Sequence, residues 1–374
     1  MVEVFCHGGV SVVTSILELL QKAGFRQAER GEFTFRSFIN GKTDLTRAEA
    51  VREIIESKTK SAMGRAAGRL SGNLFSEIER IKKEIVDALA AIEVEIEYPE
   101  DEENFTDSFD STPLVKIRDE LKTLVESWKS EKLYQDGARV VLAGKTNAGK
   151  SSLFNALLKE ERAIVSSIEG TTRDWLESWV SFEGIPARLF DTAGLRSTSD
   201  VIEAEGVERT KDLAKDADLI LYLVDSTAGL SSDDEAFINS QKDIPLVLVW
   251  NKCDLEKSFP LPSEKINSSI NMIPVSAKKG NGVGELCSCV KNLLTEKTNS
   301  TDFNVGLGSA RQRDSVCEAL ERVTHALETA QEDYALDAVV QDLEDALDSL
   351  GEVTGSVTPE DILSSVFANF CVGK

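Results

Sequence analysis

The sequence is poor in the residues that build metal clusters and disulfide frameworks. It has only two histidines, His7 and His325, and six cysteines without regular spacing among 374 residues. We therefore expect neither a His/Cys zinc site nor a disulfide-bonded secreted domain. No run of about 18 apolar residues is free of charge, and the first four residues do not form a signal peptide. These absences predict no membrane span and a reducing compartment, either the bacterial cytoplasm or a eukaryotic organelle.

A surplus of basic residues is also missing. The chain has 65 acidic against 42 basic residues, which gives a formal net charge of −23. Because nonspecific affinity for nucleic acid comes from neutralised phosphates, a broad electrostatic hold on RNA is not expected. Any contact with RNA must be local or shared with a partner. The hydrophobic fraction of 41% supports real cores, and the length allows roughly two or three domains.

The strongest positive signal is a phosphate-binding loop. Residues 144–151 read Gly-Lys-Thr-Asn-Ala-Gly-Lys-Ser, between a strand-like run at 139–143 and a helix-like run at 152–158. The two glycines let the backbone curl around a polyphosphate, Lys150 reaches the β- and γ-phosphates, and Ser151 offers a hydroxyl to Mg²⁺. A chance glycine-rich turn is the alternative, but the strand, loop and helix order disfavours it. The chain is therefore a candidate nucleotide triphosphatase.

Two later loops fit sensors of the γ-phosphate. Residues 170–174, Gly-Thr-Thr-Arg-Asp, offer a loop threonine, and residues 191–194, Asp-Thr-Ala-Gly, follow a strand-like run at 187–190. Asp191 would hold Mg²⁺ through water, and the Gly194 backbone N–H can sense the γ-phosphate. Loss of that phosphate would release both loops.

Two further loops fit the recognition of guanine. Residues 251–254, Asn-Lys-Cys-Asp, follow the apolar run 246–250. The Asp254 carboxylate can accept from guanine N1–H and from the exocyclic amine, whereas adenine lacks that donor pair and would leave a buried charge unpaired. Residues 276–278, Ser-Ala-Lys, follow 272–275 and fit the loop that donates a backbone N–H to guanine O6. The order of the loops predicts a GTPase and not an ATPase.

Two positions depart from the commonest switch GTPases. Leu195 follows the Asp-Thr-Ala-Gly motif, so the glutamine that orients water in the Ras type is absent from its usual place. Asn147 places an amide oxygen where charge develops between the β- and γ-phosphates. From the residue alone, Asn147 either neutralises that charge or merely tolerates the turn.

The motifs together resemble the MnmE (TrmE) family of tRNA-modification GTPases, over essentially the whole chain. The terminal Phe-Cys-Val-Gly-Lys of 370–374 is the most diagnostic piece, since related GTPases of ribosome assembly lack it. The resemblance also includes the GTPase motifs, the insertion of the GTPase between helical flanks, and the earlier segments at 7–9, 30–34 and 40–50.

At the nucleotide, the resemblance implies a K⁺ ion in the place of an arginine finger. Its ligands would be Asn147, Ser166, Ile168 and Thr171, while Ser151 and Thr172 hold Mg²⁺. Glu203 would orient the attacking water, although without the resemblance a solvated helix-face carboxylate is the simpler interpretation of that residue. Glu203, Lys150 and Asn147 are the implied catalytic residues. The implied GTP-binding residues are Asn147, Ala148, Gly149, Lys150, Ser151, Ser152, Ser166, Ser167, Ile168, Glu169, Gly170, Thr171, Thr172, Asp191, Thr192, Ala193, Gly194, Asn251, Lys252, Asp254, Ser276, Ala277 and Lys278.

The same resemblance implies roles for residues at both ends of the chain. Residues 1–43 resemble the last part of an amino-terminal tetrahydrofolate-binding α/β domain, so we expect an amino-terminally truncated chain. The matching folate contacts are Glu3, Lys42 and Lys374. Cys371 is a possible modification-site residue in this family, but a small buried hydrophobe is the other interpretation, and the sequence leaves both open.

Helical periodicity completes the domain plan. Ile81, Ile85, Leu89, Ile92 and Ile96 form one apolar stripe, and the last region has two more, the second of which stops at Gly351. Since neither half can bury its stripe alone, we expect them to pack together. The plan is a folate-domain remnant at 1–43, helical halves at 44–134 and 298–374, and between them a Ras-like α/β GTPase domain with a mixed, mostly parallel sheet at 135–297.

The resemblance implies a K⁺-dependent GTPase that takes part in C5 modification of the tRNA wobble uridine, adding a carboxymethylaminomethyl or related group. It also implies an FAD-containing partner of the MnmG type, 5-formyl- or methylene-tetrahydrofolate as one-carbon donor, and a homodimer whose GTPase domains pair in the GTP state. A ribosome-assembly or RNA-binding switch is one alternative, but no basic-aromatic stripe is visible. A truncated subunit that hydrolyses GTP without modifying tRNA is another.

Overall fold

The structure is a computed structural model that describes residues 2–97, 110–160, 177–191, 217–241, 244–262, 266–267, 270–296, 305–331 and 336–370. The first helices are α1 (Val10–Lys22), α2 (Glu32–Ile39), α3 (Leu45–Glu56), α4 (Lys60–Ser71), α5 (Asn73–Glu97) and α6 (Thr112–Asp136). The sheet region contains β1 (Ala138–Gly144), α7 (Lys150–Glu160), β2 (Glu177–Phe182), β3 (Ile185–Asp191), β4 (Leu219–Asp225), α8 (Ser232–Ser240), β5 (Leu246–Asn251), β6 (Asn271–Val275) and α9 (Val283–Glu296). The last helices are α10 (Ala310–Gln331), α11 (Leu336–Thr354) and α12 (Glu360–Ala368).

The apolar stripes of the two helical regions form one shared core. Ile81, Ile85 and Ile92 of α5 are completely buried, and they belong to the same cluster as Val323 of α10 and Leu343 of α11. Burial of apolar surface stabilises this association by roughly 25 cal/mol of free energy per Å² buried. The expected packing of the two helical halves around an inserted sheet domain is confirmed.

The end of α11 differs from the sequence prediction, which placed it at Gly351. The helix continues to Thr354 and ends before Gly355, whose φ of 88° is in the left-handed region. The N–H groups of Gly355 and Ser356 donate to the Gly351 carbonyl over 2.9 and 3.0 Å. Burial of Val353 in the shared core favours this extra turn, so Gly355 is the glycine that ends the helix.

The described residues of the inserted domain form a six-stranded sheet in the order β2-β3-β1-β4-β5-β6. Among these strands β2 runs antiparallel to its neighbour, and the other pairs are parallel. Side chains of β1 are buried alternately on both faces, with Val140 and Leu142 on one side and Val141 and Ala143 on the other. Helices cover both faces, as the apolar strand sequences require. This is the expected mostly parallel α/β architecture.

The sheet domain touches the helical domain at the β2–β3 turn. Glu183 and Gly184 have φ values of 47° and 96°, as a tight hairpin turn requires. The Gly184 carbonyl accepts a hydrogen bond of 2.8 Å from the hydroxyl of Thr59, which also caps α4 by accepting from the Ala62 N–H. The strands that lead toward residues 161–176 and 192–216 are thereby fixed to α4.

The amino-terminal segment packs on the last helix. Phe35 of α2 meets Phe367 of α12 edge to face, with ring centroids 5.2 Å apart. Leu45, Phe367 and Phe370 form a small separate core.

Among the described residues, no helix is long and apolar enough to cross a membrane.

Candidate nucleotide-binding site

The parallel strands bring the predicted motifs to one edge of the sheet. Their carboxyl ends point the same way, and the register pairs Leu142 with Asp191 and Asp225 with Asn251. Asn251 in turn pairs with Val275, directly before the 276–278 loop. The phosphate loop after β1 therefore lies beside the end of β3, while the two predicted guanine-recognition loops follow β5 and β6. Ligands of open parallel sheets bind at this edge.

The phosphate loop owes its shape to left-handed backbone at three positions. Gly144 has φ 132°, Asn147 φ 64° and Gly149 φ 100°. A side chain on Gly144 would strike the Leu223 carbonyl, and one on Gly149 would strike the Asn251 amide. Both positions therefore need glycine. Asn147 is exposed on the loop, so its amide is accessible to a ligand.

Lys150 is folded over the phosphate loop. Its side chain is buried, and Nζ donates to the carbonyls of Gly144 and Lys145 over 2.6 and 2.8 Å. Lys150 also begins α7, whose first turn exposes Ser151 and Ser152. A helix N-terminus with an adjacent lysine is a site for a phosphate group.

Asn251 connects three loops. Its side-chain N–H donates to the Ala148 carbonyl over 2.8 Å, and its Oδ1 accepts from the Ala277 N–H over 3.1 Å. The side chain is buried, as are Ala148 and Ala277. Lys278, next along that loop, is exposed. The phosphate loop and both base-recognition loops thus share one asparagine.

The neighbours of Asp254 favour its ionised form. Its Oδ1 accepts from the Ser276 hydroxyl over 2.8 Å, and Lys279 Nζ lies 3.6 Å from Oδ2. The hydrogen bond from Ser276, with help from Lys279, keeps the pKa of Asp254 below its ordinary value. A carboxylate that accepts hydrogen bonds is the form that pairs with two N–H donors of a base.

Asp225 was not anticipated from the sequence. Its Oδ2 accepts from Lys252 Nζ over 2.6 Å, and Lys252 has a left-handed φ of 66°. Burial of Asp225 opposes ionisation, but hydrogen bonds from Lys252 and Thr227 hold its pKa below the ordinary value. This pair fixes the strained backbone of the base-recognition loop. The position of Asp225 at the end of an apolar strand was the available signal.

A second unanticipated contact anchors Lys145 of the phosphate loop. Lys145 Nζ donates to the Ser231 hydroxyl over 2.5 Å and lies 3.6 Å from Asp234 Oδ2. Ser231 and Asp234 form a reciprocal cap at the start of α8. The Ser-x-x-Asp spacing predicts such a cap, but not its contact with Lys145.

Several predicted site residues lie outside the described residues. They are Ser166, Ser167, Ile168, Glu169, Gly170, Thr171, Thr172, Thr192, Ala193, Gly194, Leu195, Glu203, Cys371 and Lys374. Asp191 ends β3 beside the phosphate loop, but its side chain is not described. Of the predicted folate residues, Glu3 and Lys42 are exposed. The described residues contain no group of three or more His, Cys, Asp and Glu side chains suited to a metal ion.

Comparison with known proteins covers the whole chain. A family model described as MnmE helical domain matches residues 45–371, and one described as GTP-binding protein TrmE N-terminus matches residues 1–42. The tRNA modification GTPase MnmE of Treponema denticola is 53% identical, covering 100% of this chain and 81% of the relative. The protein of the same name from Borrelia recurrentis is 40% identical over the same shares. A solved structure of an Era variant from Aquifex aeolicus bound to GDP.AlF4- is 27% identical, with 50% of this chain and 66% of that chain covered. Its TM-score of 0.33 is too low to support an inference.

Proposed function

This chain belongs to the MnmE (TrmE) family of tRNA modification GTPases, and we propose that it hydrolyses GTP as one step of tRNA modification. The observation that best supports this proposal is the position of Asn251, whose two hydrogen bonds join the phosphate loop to the proposed guanine-recognition loops. The same edge of the sheet also presents an ionised Asp254 and the helix N-terminus at Lys150. Together these groups fit a guanine nucleotide with its phosphates over α7.

Different residues of this chain would contact the base and the phosphates of GTP. Asp254 would accept from N1–H and the amine of guanine, and the Ala277 to Lys278 loop would donate to O6. Lys150 would leave its loop carbonyls and pair with the β- and γ-phosphates. The helix N-terminus of α7 would donate its N–H groups to the phosphates. This arrangement orients the γ-phosphate for in-line attack by water.

The first turn of α7 fits a Mg²⁺ site. The exposed Ser151 hydroxyl stands next to Lys150, and hydroxyl, water and phosphate oxygens are the ligands that Mg²⁺ prefers. We include Ser151, Thr172 and, through water, Asp191 as the residues that would hold the ion. When bound, it would neutralise charge on the β- and γ-phosphates.

Asn147 fits a role at a monovalent cation. Its amide is exposed at the tip of the phosphate loop, on a backbone conformation in which asparagine is favoured over most residues. We propose that Asn147 binds K⁺ together with Ser166, Ile168 and Thr171. The ion would supply the positive charge that an arginine finger gives elsewhere. Glu203 would then orient the water, since Leu195 cannot.

The wider proposal follows the family. The chain would act with an FAD-containing protein of the MnmG type on the wobble uridine of tRNA, with a folate one-carbon donor at Glu3, Lys42 and Lys374. It would work in the cytoplasm as a homodimer whose GTPase domains pair in the GTP state. Cys371 is kept as a candidate for the modification chemistry. An RNA-binding switch with no modification role is the competing function.

A comparison of GTP and ATP turnover tests the proposed hydrolysis. We expect measurable phosphate release from GTP and none above background from ATP, with loss of release in Lys150→Ala. The pairing of GTPase domains is tested by chemical cross-linking of the chain with GDP and aluminium fluoride. Cross-links between residues 135–297 of two copies should form in K⁺ and be absent in Na⁺. Equal turnover of both nucleotides would reject the assignment of Asp254.

A further inference from the structure

The ion pair of Asp225 and Lys252 lies between the two parts of the candidate nucleotide site. In the sheet, β4 runs between β1, which leads into the phosphate loop, and β5, which leads into the base-recognition loop. Asp225 ends β4 and pairs in register with Asn251, which ends β5. Lys252 follows β5 and places Nζ 2.6 Å from Asp225 Oδ2. The Lys252 side chain therefore crosses the end of β4, on the side of the phosphate loop.

The carboxylate of Asp225 is held in one orientation by a tight turn. Its Oδ1 accepts from the N–H and the hydroxyl of Thr227 over 2.9 and 2.7 Å, while Oδ2 faces Lys252. The next residue, Ser226, donates its N–H to the Asn251 carbonyl over 2.9 Å. The lysine, in contrast, has a long flexible stem. Asp225 is therefore the fixed member of the pair, and Lys252 is the member that it orients.

The outer side of the Lys252 stem offers a narrow apolar floor to a ligand. The Lys252 side chain is 32% exposed, and that of Asp225 is 20% exposed. Lysine stems commonly pack against apolar surface while the ammonium group keeps a polar partner. On one side of this stem, Asn251 bonds to Ala148 of the phosphate loop, and on the other side Asp254 follows two residues later. A nucleotide that spans these two points would place its base and ribose over the stem.

A bound nucleoside would change the energy of this ion pair. In the free protein the pair is partly exposed, and water screens the attraction between its charges. A nucleoside over the stem would exclude part of that water, so an ammonium group without its carboxylate would be costly there. The contribution of Asp225 should therefore appear in the affinity for nucleotide much more than in the stability of the free protein.

We propose that Asp225 is a positioning residue for the nucleoside of GTP, which acts by holding the Lys252 stem beneath the base and the ribose. The proposal rests on the proposed function as a GTPase. It concerns a part of the affinity that is separate from recognition of the guanine edge. That recognition is assigned to Asp254, whose carboxylate is held by the Ser276 hydroxyl over 2.8 Å and does not depend on Asp225.

Equilibrium titrations with GDP and with inosine diphosphate test the proposal. The two bases share the N1–H, and hypoxanthine lacks the exocyclic amine. Asp225→Asn removes the charge but keeps the size of the side chain and an acceptor oxygen for Thr227. Asp233→Asn, at an exposed position in the first turn of α8, is the matched control. Lys252→Met keeps an unbranched stem without the ammonium group, so the double variant shows whether Asp225 acts through Lys252.

Asp225→Asn should weaken the binding of both nucleotides by at least about tenfold, or about 1.4 kcal/mol. The preference for GDP over inosine diphosphate should stay that of the wild type, because Asp254 keeps its position. The same substitution should cause no further loss in the Lys252→Met background. Asp233→Asn should bind as the wild type does. Without nucleotide, the melting temperatures of Asp225→Asn and Asp233→Asn should be alike.

Undiminished GDP affinity in Asp225→Asn, or an equal loss in the wild-type and Lys252→Met backgrounds, would overturn the proposal. A loss of the preference for GDP over inosine diphosphate would also overturn it, since Asp225 would then only maintain the loop that carries Asp254. In each of these cases GDP binding by the wild type leaves the proposed function intact. Absence of GDP binding by the wild type would contradict the proposed function and this proposal together.

Discussion

The side-chain N–H of Asn251 donates to the carbonyl of Ala148 over 2.8 Å, so a residue of the base-recognition loop closes the phosphate loop. Both residues are buried. The Oδ1 of the same amide accepts from the Ala277 N–H, so Asn251 joins the two loops. We therefore expect the affinity for a nucleotide to depend on this side chain.

Replacement of Asn251 by alanine should weaken GDP binding and lower the melting temperature. The Ala148 carbonyl and the Ala277 N–H would each be left unpaired in a buried position, at about 1–3 kcal/mol each. Isothermal titration and thermal unfolding measure the two effects. Asn271→Ala, at an exposed position that starts β6, is the matched control. Equal behaviour of the two variants would contradict the coupling.

Replacement of Asp254 by asparagine should shift binding from guanine to xanthine nucleotides. The amide presents an N–H in place of a carboxylate oxygen, so it repels the guanine amine and matches the xanthine carbonyl. The Ser276 hydroxyl can still donate to the remaining oxygen, which preserves the loop. An equilibrium titration with GDP and xanthosine diphosphate checks the reversal, and undiminished GDP affinity would defeat this assignment.

Turnover in KCl should exceed turnover in NaCl by more than about tenfold, or about 1.4 kcal/mol of transition-state stabilisation. GTP affinity should respond much less, because the cation acts where charge develops. Asn147→Gly keeps the left-handed φ of 64° without strain and removes the amide. We expect that variant to bind GTP and lose the preference for K⁺. Phosphate release measured in the two salts at matched ionic strength tests this prediction. Equal rates for the wild type in both salts would show that Asn147 serves only the conformation of the turn.

The sequence predicted the parts of the site that consist of short contiguous motifs. The phosphate loop and the base-recognition loops each follow an apolar strand, so their meeting at one sheet edge follows from parallel topology. The helical stripes likewise predicted the shared core. Gly351 and Gly355 are both plausible helix ends by local rules, and only the burial of Val353 distinguishes them.

Contacts between residues far apart in the chain could not be predicted from the sequence. Lys252 and Asp225 are 27 positions apart, and Thr59 and Gly184 are 125 apart. Their partners depend on how side chains converge in three dimensions, which no local pattern encodes. Thr172 and Glu203 lie outside the described residues, so their roles stay predictions.

The stability of the helical domain should depend on pH through Glu53. Its folded-state pKa of about 7 lies above the ordinary 4.5, so the folded protein holds the proton more tightly. The resulting contribution to the free energy of unfolding is present below pH 4.5 and is lost as pH rises through about 7. Its upper bound is about 3 kcal/mol. Glu53→Gln removes the titration, so the wild type should lose stability relative to that variant between about pH 5 and about pH 8.

Chemical denaturation across this pH range measures the difference. Glu56→Gln, on the same helix and 58% exposed, is the control and should follow the wild type. A free-energy difference between Glu53→Gln and wild type that is independent of pH would show that Glu53 is ionised throughout.

The most direct test of the account is the nucleoside composition of tRNA in a bacterium that lacks its own MnmE protein and expresses this chain. Mass spectrometry of wobble nucleosides should detect the C5-modified uridine with the wild-type chain. The Lys150→Ala variant, expressed to the same level, should leave the uridine unmodified, because GTP hydrolysis would be lost. Unmodified uridine with the wild-type chain, or equal modification with both chains, would contradict the claim that GTP hydrolysis by this protein serves tRNA modification.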